Sequence, residues 1–374
     1  EPMPLTTPPL EAWFNQHESG AAYSLGGTMV QPWTGEALQE FLPEDWGPHR
    51  FEFGYVPTPG SHSLRTLLAS EYDLSPDAIF LTAGATEANL AVLTGMLRPG
   101  SNVILQDPLY YQFEAIAHEL GAEVRRWTLP ADPAQAPDLS ALAALIDAET
   151  RLVVLNTPHN PTGRTLDADT LRAAVTLVEA QPEAHLLIDE IYRGVGPHAT
   201  PSALGLSDRI LVTDAVSKRW SLPGLRLGWV ASRSSQLATC LPYHEHATCC
   251  VSRLSEQVIE ALWPRRAEVF AENHRVTERN RQLFAVWLAS VSRLLDGALP
   301  PAGVVTLVWP RFDSDDREVA RALREDFGLF VLPGSTLGYP GALRVGFGQR
   351  DPVTLLAALA RFETGLDALA GRLA

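Results

Sequence analysis

Lysine is almost absent from this 374-residue chain: of its 29 lysines and arginines only Lys218 is a lysine, which leaves 28 arginines. Cysteine is scarce as well, with three residues, and Cys249 and Cys250 are sequence neighbours. Adjacent cysteines are poorly placed to bridge each other, so reduced thiols in a cytoplasmic protein are expected. Cations as a whole are short, because 44 Asp and Glu set the formal net charge at −15. That deficit argues against a general nucleic-acid binder, which needs excess cations to displace counterions, and against adsorption to anionic membranes. No apolar run reaches the roughly 18 residues that a membrane helix needs. The opening "EPMPLTTPPLEAW" lacks the basic and apolar regions of a signal peptide. The first strand is followed by "TAGATEA", not by the G-x-G-x-x-G turn of a nicotinamide site. His244, His246 and Cys249 lie close together in "HEHATCC", but their spacing matches no standard zinc pattern, and no metal is expected.

What is present is an ordinary globular composition, 46% hydrophobic and 20% charged, in a regular order. Short apolar runs at "AIFLTAG", "NVILQDP", "AEVRRWTL", "RLVVLNTP", "HLLIDE", "ILVTDAV" and "RLGWVAS" read as strands, several separated by amphipathic helices. This alternation predicts an α/β fold with a mostly parallel sheet flanked by helices. From residue 255 a long helical stretch follows, with Pro264 as a break, and then a strand–helix mixture that reads as a smaller α+β domain. Asp351 and Pro352 open the last helix as N-cap and first helical residue. The boundaries expected are an N-terminal arm with part of the small domain at 1–45, a large domain at 46–265 and a small one at 266–374.

In an open parallel sheet ligands bind beyond the carboxyl ends of the strands, so the residues just past each strand matter most. After the first comes Gly84-Ala85-Thr86, a small turn opening a helix, where backbone N–H groups and the helix dipole suit an anion. Tyr110 follows the second, and "HNPTG" with Asn160 follows the strand at 151–155. Asp189 and Tyr192 follow "HLLI", and a carboxylate in that buried setting requires a cationic partner. Ser217 and Lys218 follow "ILVTDAV", with Arg226 eight residues on. Lys218 could be a leftover of an arginine-rich composition, or it could be chemical. An arginine stays protonated at workable pH, whereas a lysine amine can lose its proton and attack a carbonyl.

Asn160-Pro161-Thr162-Gly163, Asp189-x-x-Tyr192, Ser217-Lys218 and Arg226 eight residues later resemble the ordered signature of fold-type I pyridoxal-phosphate enzymes, specifically class I/II aminotransferases. The resemblance implies that Lys218 forms the Schiff base with pyridoxal 5′-phosphate and carries the proton between substrate and cofactor. It implies that Asp189 pairs with the pyridine nitrogen, that Asn160 and Tyr192 contact the 3′ oxygen, and that Tyr110 stacks on the ring. Gly84, Ala85, Thr86, Ser217 and Arg226 would hold the phosphate. Tyr55, in "GYVPTPG", would reach the neighbouring subunit's site, which implies a homodimer with shared active sites. Arg344, in "ALRVGFG", would grip the substrate α-carboxylate, with Asn160 and Gly26 beside it. The substrates implied are an amino acid and a 2-oxo acid. Two departures stand out. Ala215 replaces a usual hydroxyl, with Thr213 as the nearest substitute, and the arginine of aspartate-type enzymes has only Arg253 as a candidate by neighbourhood, against a solvated helix arginine. The N-terminal run resembles a subgroup with archaeal aspartate-type enzymes and capreomycidine synthase-like cyclases. The alternative reactions are therefore cyclisation, decarboxylation or β-elimination on the same lysine.

Overall fold

The apolar runs between residues 79 and 232 line up as a single sheet in the computed structural model, which describes residues 5–130, 135–195 and 201–373. The first four residues of the expected N-terminal arm lie outside the described residues. After a two-residue strand β1 (Tyr23–Ser24), the sheet is built from β2 (Ile79–Thr82), β3 (Asn102–Asp107), β4 (Glu123–Thr128), β5 (Thr150–Asn156), β6 (His185–Asp189), β7 (Ile210–Ala215) and β8 (Gly228–Ser232). Their order is β2-β8-β7-β6-β5-β3-β4. Every pairing is parallel except those of β8, which runs antiparallel to β2 and β7. Both faces are buried except along the edge strand β4, which is why the other strands read as continuous apolar runs. Val153, Leu155, Ile188 and Val212 pack into one core, and their alternates Leu152, Val154, Leu187 and Leu211 into another.

Helices α1 (Pro9–His17) and α2 (Gly35–Leu38) lie in the N-terminal segment. Then α3 (His62–Ser70), α4 (Ala85–Met96), α5 (Gln112–Glu119), α6 (Leu139–Leu145) and α7 (Ala168–Glu179) intervene among the strands. Beyond β8 come α8 (Leu237–Ala247), α9 (Arg253–Leu262) and α10 (Arg266–Ser290). A 3-10 turn over Trp263–Arg265 separates the last two, because Pro264 has no N–H to continue the helical ladder.

A second sheet, order β12-β13-β10-β9, is antiparallel and comprises β9 (Leu295–Gly297), β10 (Val305–Pro310), β12 (Leu332–Pro333) and β13 (Leu343–Gly346). Helices α11 (Asp316–Phe327) and α12 (Pro352–Leu373) complete this part of the chain. Asp351 caps α12 by accepting from Val353 N and Thr354 N. "LFVLPG", expected as one strand, is split. Its first half, β11 (Leu329–Phe330), pairs with β1, whereas β12 pairs with β13. Between them the Val331 carbonyl accepts from Trp13 Nε1 (3.2 Å). The N-terminal segment thus belongs to this core, with Leu10, Trp13 and Leu25 packed among Phe330, Val345 and Phe362. Residues 25–29 then run so close to β13 that a Cβ on Gly346 would strike the Gly27 carbonyl.

A second close approach lies at the start of β8. A Cβ on Gly228 would sit 2.5 Å from the Gly84 carbonyl carbon and 2.8 Å from Ala85 N, with backbone on all sides. Backbone cannot swing aside as a side-chain tip can. Gly228→Ala should therefore destabilise the protein by about 1–3 kcal/mol in denaturant unfolding, the range for overpacking a rigid site. Wild-type stability in that variant would mean that the turn at Gly84 shifts freely.

Candidate active site

The sheet topology gathers the expected residues on one rim. The carboxyl ends of β2, β3, β5, β6 and β7 point the same way, and β8, being antiparallel, begins at that same rim. The chain therefore turns from Lys218 to Arg226 without leaving it. A cavity of about 440 Å³ opens there, lined by Ala85, Thr86, Tyr110, Asn160, Asp189, Tyr192, Ser217, Lys218, Arg226, Arg344 and Gly26, among others.

Lys218 Nζ donates to Thr28 Oγ1 (2.8 Å) and lies 3.4 Å from Met29 Sδ. The Tyr192 hydroxyl donates to the same Thr28 oxygen (3.0 Å). Asp189, 7% exposed, accepts from Ile191 N (3.0 Å) and Asn89 Nδ2 (3.2 Å). Burial pushes its carboxyl up to about 6, against the pull of those two donors and of the Lys218 charge. Asn156 links two rim segments: its Nδ2 donates to the Asp189 carbonyl (3.0 Å), and its Oδ1 accepts from Asn160 N (3.0 Å). His159, buried and lowered to about 4 by desolvation, bonds Thr162 Oγ1 and the Pro108 carbonyl, both at 2.8 Å. It fastens the turn of Asn160 to the loop of Tyr110.

Two guanidiniums in this cavity meet only neutral partners among the described residues. Arg226 donates to the Pro223 carbonyl (3.1 Å) and the Ala83 carbonyl (3.4 Å). Arg344, only 2% exposed, donates to the Gly26 carbonyl (2.7 Å) and to Asn160 Oδ1 (3.4 Å), and its Nε has no partner. Burial lowers Arg344 to about 10. In a chain of net charge −15, two cations without carboxylates call for anionic ligands. A phosphate beside the turn of Gly84 and a carboxylate at Arg344 answer that call, and a protonated ring nitrogen answers the buried Asp189. With the amine of Lys218, these residues fit pyridoxal phosphate.

Two expected residues stand apart from the cavity wall. Gly84 lies behind the turn, where Arg226 covers it, and Tyr55 projects outward, 93% exposed. The Gly26 N–H donates to Ser24 Oγ (3.3 Å) while its carbonyl serves Arg344. Thr213 does not replace the hydroxyl missing at Ala215. It is fully buried and donates to Asn89 Oδ1 (2.6 Å), so it orients the amide that serves Asp189. Arg253, half-buried at the start of α9, is paired with Glu52 (2.9 Å), Glu260 (3.0 Å) and Glu256 (3.2 Å) and does not line the cavity. Sequence reasoning missed Leu10, Glu11, Phe14, Glu18, Thr28, Met29, Asn89 and Asn156, all of which line the cavity. Asn156, the last residue of β5, carried a signal in its position at a strand's carboxyl end. The others on the N-terminal segment reach the site only because that segment crosses the rim. Among the described residues no group of His, Cys, Asp and Glu could hold a metal, and no helix is long and apolar enough to cross a membrane.

The chain matches the family "Aminotransferase class I and II" over residues 36–362. It is 28% identical to capreomycidine synthase of Streptomyces vinaceus, across 100% of this chain and 95% of that protein. It is 32% identical to a probable N-succinyldiaminopimelate aminotransferase of Mycobacterium tuberculosis, across 77% of this chain and 76% of that protein. A crystal structure of a PLP-dependent aminotransferase from Streptococcus suis superposes with a TM-score of 0.91 at 27% identity, covering 98% of this chain and 99% of that one.

The raised carboxyl of Asp189 has a consequence in the cofactor-free protein. A carboxylate whose folded value lies near 6, above its ordinary 3.8, stabilises the fold fully below the ordinary value, and that contribution is lost as pH rises through 6. The stability of wild type minus that of Asp189→Asn should thus fall by about 2–3 kcal/mol between about pH 4 and pH 6. Urea unfolding across that range measures it. Loading the cofactor should abolish the trend, and a flat difference in the cofactor-free protein would mean that Asp189 ionises unhindered.

Proposed function

This chain belongs to the aminotransferase class I and II family, and on that premise we propose that it moves the amino group of an L-amino acid to a 2-oxo acid through Lys218. It is a pyridoxal-phosphate-dependent transaminase. The observation that carries the residue assignments is the lone amine of Lys218 and the buried Asp189 in one cavity with two guanidiniums that lack carboxylate partners. The amino group leaves the first substrate as its 2-oxo acid departs, is kept on the enzyme, and passes to the second 2-oxo acid in a ping-pong cycle.

When bound, pyridoxal phosphate supplies an aldehyde carbon for the amino group and a ring that takes up the electron pair left at the substrate's Cα. The residues do the rest. Lys218 Nζ, steered by Thr28 and flanked by the Tyr192 ring at 5.5 Å, would take the proton from the substrate Cα and deliver it to the cofactor carbon that holds the amino group, and would reverse that transfer for the second substrate. Asp189 keeps a proton on the ring nitrogen, and Thr213 and Asn89 hold Asp189 in register. Arg344 receives the α-carboxylate in a planar fork, oriented by Asn160 and the Gly26 carbonyl. Ala85, Thr86, Ser217 and Arg226 would hold the phosphate, Tyr110 would cover the ring, and Asn160 and Tyr192 would contact the 3′ oxygen. The reading includes a large domain at 46–265, a small one at 266–374 and a 1–45 segment that is an N-terminal arm and part of the small domain. The separate hydrophobic clusters support it. A cytoplasmic setting is also part of the reading, supported by three free cysteines.

A second reading, an amino-acid cyclase on the same scaffold, is favoured by the full-length likeness to capreomycidine synthase. A single turnover separates them, because only transamination converts the bound cofactor stoichiometrically to its pyridoxamine form.

Lys218→Arg keeps the charge and removes the deprotonatable amine. The variant should fold, and turnover should drop by at least about a thousandfold. Borohydride should attach the cofactor covalently to wild type and leave this variant unlabelled. A labelled Lys218→Arg protein would overturn the assignment.

We further propose that the enzyme is a two-fold dimer in which Tyr55 completes the neighbouring site, supported by the exposure of Phe53 (79%) and Tyr55 (93%) on one short stretch. Mixing Lys218→Ala with a crippled Tyr55→Ala protein under subunit exchange should then restore activity, up to about a quarter of wild type for statistical mixing. A mixture no faster than the residual rate of Tyr55→Ala, or a monomer in sedimentation at micromolar concentration, refutes the shared site.

A further inference from the structure

The cavity's polar groups divide by charge. Its cations are Lys218, Arg226 and Arg344, and the proposed chemistry commits each one: the amine, the phosphate and the α-carboxylate. The wall left for the substrate's side chain comes from α1 and the residue after its end, through Leu10, Glu11, Phe14 and Glu18. Phe14 stands between the two functions, its ring centroid 6.0 Å from the Arg344 guanidinium carbon. Glu11 Oε1 accepts from the Tyr110 hydroxyl (2.6 Å) and Glu18 Oε1 from Ser24 Oγ (3.4 Å). Among the described residues neither carboxylate is in an ion pair. The unpartnered Nε of the buried Arg344 independently marks this cavity as built for a ligand with a carboxylate at that end. A substrate anchored there by its α-carboxylate and at Lys218 by its amino group sends its side chain past Phe14 toward two carboxylates.

We propose that Glu11 and Glu18 make this a site for amino acids whose side chain ends in a cation, a guanidinium or an ammonium group on an alkyl chain. The alkyl portion lies along Leu10 and Phe14, and the cation meets the oxygen of Glu11 that Tyr110 leaves free, with Glu18 at the mouth. An acidic side chain finds no cation in this wall, since Arg253 is held by its own three glutamates. A neutral one leaves Glu11 without a charged partner.

The inference rests on the transaminase reading, and the test separates the two. Holoenzyme is mixed with L-arginine, its neutral near-isostere L-citrulline, or L-glutamate, and conversion of the bound cofactor to the pyridoxamine form is followed by absorbance. Arginine should exceed citrulline by at least about tenfold in kcat/KM, the scale of one charge-assisted hydrogen bond. In the double variant Glu11→Gln/Glu18→Gln, which keeps the acceptor for Tyr110, that ratio should fall toward one. A purely structural role would slow both substrates together and leave the ratio as it was. Calorimetry with 5-guanidinopentanoate, which has no amino group to react, gives a reading independent of turnover, and its binding should weaken by about tenfold in the variant. Equal rates for arginine and citrulline in wild type, a ratio unmoved in the variant, or unchanged calorimetric affinity would overturn the proposal. If no amino acid converts the cofactor, transamination fails as a reading, while the calorimetric comparison still decides the role of the two glutamates.

Discussion

Asp189 ends the central strand β6 with its carboxylate out of water, and much of the architecture exists to hold it there. Burial of an ion disfavours its charged form, and only hydrogen bonds and an opposite charge reverse that. The Ile191 N–H binds one oxygen and Asn89 the other, while Thr213 on the adjacent strand turns the Asn89 amide to donate. These contacts come from β6, β7 and α4, so the sheet register and the seat of α4 are both tied to one carboxylate. What the described residues do not supply at full strength is the cation, and the proposed protonated cofactor ring would complete the arrangement.

The turn that opens α4 is braced from the other side. Glu87 accepts from the Ala83 N–H, from His244 Nδ1 (3.0 Å) and from Thr248 Oγ1 (2.5 Å). His244, wholly buried, also meets the Thr58 carbonyl (2.9 Å). This histidine links α8, the start of α4 and the loop after Tyr55. With Gly228 allowing β8 to press against the Gly84–Ala85 peptide, the turn that opens α4 is fixed by packing and by a carboxylate together.

The second sheet is tied to the N-terminal segment. Because β1 pairs with β11 and Trp13 bonds Val331, the N-terminal segment is locked to the lobe that carries Arg344. Residues 25–29 then cross to the large lobe and bring Thr28 to both Lys218 and Tyr192. Arg344, the α1 residues that line the cavity and the Thr28 that bonds Lys218 are thus tied together through the N-terminal segment.

Periodicity, strand-end residues and the solitary lysine were enough to read an α/β fold, its helix caps at Asp351 and break at Pro264, and the rim residues from Ala85 to Arg226. Those signals are local: a strand's apolar run, the turn after it and a side chain's chemistry all lie within a few residues. The direction of β8 was not legible, since a buried strand reads alike either way, nor was the splitting of β11 from β12 by different partners. Thr28, Asn89, Glu11 and Glu18 were invisible as site residues for the same reason. In the N-terminal segment only Gly26 was named, and long-range packing brings its neighbours and the end of α1 to the cavity of Lys218, whereas Asn89 is carried there by α4. The chain's chemistry was thus written in short stretches, whereas the neighbours of each site group were decided by contacts between residues far apart in sequence, 190 positions for Lys218 and Thr28 and 318 for Arg344 and Gly26.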